Sequence, residues 1–132
     1  MVIQTTKRSK KLIATGCFFG LISVLAGAFG THALENSLTS GEMETFRMGT
    51  QYQMYHSFAL ILVSYINSKS NKAIFEIASW LFIIGIVIFC GSLYTIALSG
   101  LSTIGIIAPV GGSMLIAGWC TFGIGILRNN LA

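Results

Sequence analysis

The sequence predicts an all-α integral membrane protein, a bundle of four transmembrane helices, and three observations carry that expectation. The chain is 54% hydrophobic and only 9% charged, whereas a soluble domain carries roughly 25% charged residues. Its mean hydropathy is +0.79. Its apolar residues fall into four runs, residues 12–34, 49–67, 77–99 and 103–127. At about 1.5 Å rise per residue each run is long enough to cross a hydrocarbon core about 30 Å thick. A membrane barrel would instead alternate apolar and polar residues over about ten positions, and no segment does so. Fifteen glycines and a single proline fit closely packed helices, where small residues let backbones approach.

The first span, residues 12–34, follows a basic tail over residues 1–11 that holds Lys7, Arg8, Lys10 and Lys11. A cleaved leader is the competing reading. Three further spans follow, however, and only Leu12 and Ile13 precede the lipoprotein-like Ala14-Thr15-Gly16-Cys17 as apolar residues, so a leader is excluded. Gly16, Gly20, Ser23, Gly27 and Gly30 recur at spacings of four, three, four and three and line one face. That face is expected to be a helix-packing surface, used within the chain and for association between copies.

The connection over residues 35–49 holds Glu35, Glu42, Glu44 and Arg47. Thr39 followed by Glu42 is a capping box, which predicts a helix starting near Ser40 and running into the second span. On a wheel of about 100° per residue, Met54, Phe58, Ile61 and Tyr65 lie on one side of this span. Gln53, His56, Ser57, Leu60, Ser64 and Asn67 lie on the other. An unpaired amide or imidazole facing hydrocarbon costs several kcal/mol, so the second side faces protein.

A polar connection over residues 67–76 with Lys69 and Lys72 leads to the third span, where Trp80 and Tyr94 mark opposite interfaces. Gly85, Ser92, Thr95 and Ser99 make a second stripe of small residues. Ser99-Gly100-Leu101-Ser102 is a tight turn that joins the last two spans as a hairpin, and Pro109 is expected to free the Gly105 carbonyl and bend the fourth span. A short tail, residues 129–132, closes the chain. Seven of the eight Lys and Arg lie in the N-terminal tail, the second connection and the C-terminus, which places both termini in the cytoplasm. Cys17, Cys90 and Cys120 sit in apolar runs without C-x-x-C spacing and read as small buried hydrophobes.

Four blocks, Gly27-Ala28-Phe29-Gly30-Thr31-His32-Ala33-Leu34, Tyr52-Gln53-Met54-Tyr55-His56, Gly91-Ser92-Leu93-Tyr94, and Pro109-Val110-Gly111-Gly112 leading to Gly118-Trp119, occur in this order. In them the chain resembles a family of small bacterial membrane proteins that includes YgdD and YwdK, a domain of unknown function. The resemblance implies a four-span protein of the bacterial cytoplasmic membrane and carries no catalytic or binding residue with it.

A metal shared by His32 and His56 fails on depth. His32 lies 20 residues beyond Leu12, at the outer interface, and His56 lies eight residues inward from Met48, which is about 12 Å of helix rise. Zinc needs both nitrogens about 2 Å away, so no metal is predicted. His56 instead centres a buried polar cluster with Tyr52, Gln53, Ser92, Tyr94 and the bend at Pro109, Gly111 and Gly112. Interhelical hydrogen bonding that fixes register is its bland reading, and a small ligand, proton or ion site is its functional one. No nucleophile, base and acid share a depth, so the chain reads as non-enzymatic and without a cofactor. Its expected partners are the lipid bilayer and a second copy or other membrane proteins, with no nucleic acid among them, since the terminal cations are accounted for by orientation.

Overall fold

The computed structural model describes residues 6–129; the outer parts of both tails lie outside the described residues. Four long helices follow one another: α1 over Lys7–Leu34, α2 over Ser40–Ser70, α3 over Ala73–Ser99 and α4 over Ala108–Arg128. A 3₁₀ turn over Ser102–Ile106 precedes α4. Three segments, Lys7–Leu34, Ala73–Ser99 and Ser102–Arg128, are long and apolar enough to cross a membrane. The fourth long helix, α2, is the polar one.

Helix α1 starts inside the basic tail, because the Thr6 hydroxyl accepts from the Ser9 backbone N–H at 3.2 Å and supplies the missing N-terminal partner. Helix α2 starts at the expected capping box: Glu42 Oε2 accepts from the Thr39 N–H at 2.8 Å, and the Glu42 N–H donates to Thr39 Oγ1 at 3.3 Å. Glu42 Oε2 also accepts from the Thr39 hydroxyl at 2.9 Å, and the Thr39 N–H and hydroxyl together hold the Glu42 carboxyl below its ordinary value of 4.5. A lowered value means that this support is complete above 4.5 and fades as the pH falls through the folded-state value. Acidification is therefore expected to lower the protection factors of the first-turn amides of α2, each rate being referred to the intrinsic rate at the same pH, and Glu42→Gln is expected to make those protection factors independent of pH.

The connection between α2 and α3 is shorter than residues 67–76. Asn71 takes the left-handed conformation at φ 50° and donates its N–H to the Asn67 carbonyl at 2.8 Å, so α2 runs to Ser70 and only Asn71 and Lys72 separate it from α3. Gly100 at φ +67° ends α3 in the same way, and the hairpin turn lies where the sequence places it.

Extensive packing follows chain order: α1 on α2, α2 on α3, and α3 on α4. The apolar core lies between α2, α3 and α4, with Leu60, Val63, Phe75, Phe82, Ile86 and Cys90 among its most buried members. Cys17 and Cys120 are exposed on the outer surface, so only Cys90 is the buried hydrophobe expected of all three. The reason is rotational: Cys17 follows Gly16 off the packed face of α1, and Cys120 follows Trp119 on the outside of α4.

Two π-helical turns interrupt the long helices, Ala26–Gly30 in α1 and Ile86–Cys90 in α3. Pro109 does not bend a continuous helix. It stands in the first turn of α4, after the 3₁₀ segment, where its missing N–H has no intrahelical acceptor to lose.

Candidate functional site

The glycine face of α1 lies on α2. A Cβ at Gly16 would lie 2.6 Å from Ile61 Cγ1 and 3.2 Å from the Ser57 carbonyl oxygen, and one at Gly30 would lie 2.9 Å from Phe46 Cζ. Gly20 and Gly27 are looser, with nearest atoms at 3.9 Å on Ser57 and Thr50. Between them, Ser23 Oγ donates to the Thr50 carbonyl at 2.7 Å. The seam thus packs within the chain, most tightly at Gly16 and Gly30. Gly16→Ala is expected to destabilise the protein by about 1–2 kcal/mol by overpacking, and Gly20→Ala to be nearly neutral; unfolding in detergent distinguishes them.

Helix α2 presents its polar side inward. Gln53, His56, Ser57, Leu60, Ser64 and Asn67 are all buried, whereas Phe58 and Tyr65 are exposed. Gln53, Ser57 and Ser64 find protein partners there in place of water. Ser57 Oγ donates to the Gln53 carbonyl at 2.6 Å, and Ser64 and Ser79 hydroxyls meet at 3.2 Å between α2 and α3.

The expected cluster separates into two sites and three outliers. In the first site Gln53 ties three helices. Its Nε2 donates to the Phe19 carbonyl of α1 at 2.8 Å, and its Oε1 accepts from the Tyr94 hydroxyl of α3 at 2.7 Å. Tyr94 lies flat on α2 because Gly49 has no side chain; a Cβ there would stand 2.8 Å from Tyr94 Cε1. Phe46 covers the same ring with centroids 5.3 Å apart.

The second site holds His56. Its Nδ1 donates to the Tyr52 carbonyl at 2.6 Å. Tyr52 stacks on the imidazole at 5.8 Å and 23°, and Phe82 of α3 and Trp119 of α4 approach it at 6.0 and 6.1 Å. The ring lines an open, largely apolar groove of about 650 Å³, with Tyr52 and Tyr55 of α2, Phe89 of α3, and Gly112, Leu115, Ile116 and Trp119 of α4.

Ser92, Pro109 and Gly111 are the outliers. The Ser92 hydroxyl donates to the Ile88 carbonyl of its own helix, four residues back, at 2.5 Å, and it takes no part in the His56 site. Pro109 is exposed and its carbonyl accepts from Ser113 at 2.8 Å. Thr95 and Ser99 are likewise exposed, each hydroxyl bonded to a carbonyl four residues back. Gly111 is a contact point of α3 and α4: a Cβ would collide with Phe89 N and lie 2.8 Å from Phe89 Cα. Gly112 alone of that group reaches the groove with His56.

Sequence reasoning missed Trp119, Phe89, Tyr55, Leu115 and Ile116 as groove residues. Trp119 stood in a resemblance block with Gly118, and its spacing of seven from Gly112 would have placed it one face-length further along α4. Phe89 gave no such signal, because its position depends on the π turn. His32 is exposed and far from His56 in role, and the described residues hold no group of three or more His, Cys, Asp or Glu able to bind a metal.

These features define a helical membrane protein whose interior polar groups hold its helices in register around one aromatic groove. The chain belongs to the family described as "Protein of unknown function (DUF423)", which matches residues 26–112. Relatives carry membrane names. The UPF0382 membrane protein SH2409 of Staphylococcus haemolyticus is 39% identical over 110 residues, covering 83% of this chain and 89% of that one. The UPF0382 membrane protein YwdK of Bacillus subtilis is 37% identical over 111 residues, 83% and 90% of the two chains. The UPF0382 inner membrane protein YgdD of Escherichia coli is 32% identical over 120 residues, 91% and 92% of the two chains. No solved structure matches the chain.

Proposed function

We propose that this is a non-enzymatic protein of the cytoplasmic membrane with four spans and both termini in the cytoplasm, acting as an accessory or assembly subunit. The observation that carries the reading is the use made of the polar groups of α2. Gln53 and Ser64 are bonded to neighbouring helices, so they serve helix register. Their inward placement also supports α2 as the fourth span. What this helix turns outward between residues 49 and 67 is mostly Tyr52, Tyr55, Phe58, Leu62 and Tyr65, a surface suited to lipid. Arg8 pairs with Glu76, so the start of α1 and the start of α3 share one end of the bundle, which supports a common side for them in keeping with the distribution of cations.

A native mass measurement in mild detergent tests the role. The expected result is a discrete multimer of the chain or a discrete complex with another membrane protein; a lone monomer contradicts it. A second reading, a ligand-binding membrane protein, is favoured by one observation: His56 lines the groove with a ring nitrogen that no hydrogen bond among the described residues occupies.

A further inference from the structure

The second reading can be taken further, because the His56 ring is restricted in what it can bind. Its Nδ1 proton is committed to the Tyr52 carbonyl at 2.6 Å. In the neutral ring Nε2 then carries only a lone pair, and it accepts. His56 is 6% exposed. Its Nε2 has no partner among the described residues and is not one of the sealed atoms, so it meets the groove that the ring lines. A partner must therefore bring a donor hydrogen.

The groove walls and its depth narrow the class. Tyr52 and Phe89 approach at 5.1 Å and Phe82 and Trp119 at 5.4 Å, so planar rings surround the imidazole. Such rings favour a flat occupant in offset or edge-on contact. The lip is open toward lipid, where Tyr55 is 57% and Ile116 67% exposed. His56 lies eight residues along α2 from Met48, about 12 Å of helix rise. Phospholipid headgroups stay in the interfacial layer, so a donor that reaches Nε2 belongs to a neutral lipid whose polar group enters the hydrocarbon.

We propose that this groove binds a hydroxylated aromatic lipid of the quinol class, one ring hydroxyl donating to His56 Nε2 and the ring lying among Tyr52, Phe89 and Trp119. The proposal rests on the ligand-binding reading above. Gly112 contributes no side chain to the wall that would face the ring. The tail lies outside the lip, against Ile116 and the surrounding lipid.

Equilibrium dialysis of the full chain in detergent, under anaerobic conditions, against decylubiquinol, decylubiquinone and decanol tests it. The quinol is expected to bind about tenfold tighter than the quinone, the worth of one hydrogen bond, because the quinone carbonyls cannot donate. His56→Phe keeps the aromatic packing and is expected to erase that preference; Ile116→Trp, at the exposed lip, is expected to abolish quinol binding. Should His56→Phe not fold, Ile116→Trp decides alone. Equal binding of quinol and quinone, or unaltered quinol binding in either variant, overturns the proposal. Decanol binding as tightly as the quinol overturns the ligand class and leaves the groove reading standing. Failure of both quinol and decanol to bind overturns the groove reading itself.

Discussion

Gly111→Ala is expected to cost about 3 kcal/mol or to prevent folding, the largest effect of any single added methyl in the chain. The helix pair α3 and α4 approaches most closely here, and the obstacle is main chain: the new Cβ meets Phe89 N and would lie 2.9 Å from the Ile88 carbonyl carbon. Backbone cannot step aside as a side-chain tip can. Gly85→Ala makes the useful comparison, since its nearest obstacle is the Leu115 side chain, with Cδ2 at 2.5 Å, although Leu115 N follows at 3.1 Å. Its expected cost is smaller, about 1–2 kcal/mol. Denaturant titration of the purified variants in micelles ranks the two, and a Gly111→Ala protein as stable as wild type contradicts the close approach.

Gln53→Leu is expected to cost about 2 kcal/mol, the second large effect. The replacement is apolar and of similar volume, so the loss is of bonds and not of bulk. It strands the Tyr94 hydroxyl and removes the donor to the Phe19 carbonyl, severing α1 and α3 from α2 at once. Single interhelical bonds in lipid are worth less, near 0.6 kcal/mol on average, and two bonds sharing one amide raise the figure. Tyr94→Phe breaks only one of them and is expected to cost about 1 kcal/mol. In the double variant the costs are expected to fall short of additive, because Tyr94→Phe has nothing left to break once Gln53 is gone. Strict additivity contradicts the shared bond.

The long helices, the capping box of α2 and its buried face were legible in the sequence because each rests on local chemistry. Thr39 and Glu42 satisfy backbone groups three residues apart, and the period of about 3.6 sorts Gln53, His56, Ser57, Leu60 and Ser64 from Phe58 and Tyr65 without reference to any other helix. The site was legible only in part. Depth counting brought His56 and Gly112 to one level correctly, yet it assumed regular helix throughout. Ser92 bonds back to the carbonyl four residues earlier in its own helix, as Ser79 and Thr95 also do, and Phe89, within the π turn over Ile86–Cys90, enters the groove instead. Pro109 was misplaced for a related reason. The 3₁₀ segment before it absorbs the change of direction, and the proline starts a helix where a continuous span would have been kinked. Neither irregularity has a composition signal in the chain.

We propose that α2, the least apolar of the long helices, crosses the membrane with its polar side turned inward. Single cysteines placed at Ser37, in the connection before α2, and at Asn71, just after it, test this directly in a chain whose own three cysteines are replaced by serine or alanine. With a membrane-impermeant thiol reagent on intact cells, a spanning α2 gives labelling at position 37 and none at position 71 until the membrane is opened. Labelling of both positions from the same side would show that α2 does not span.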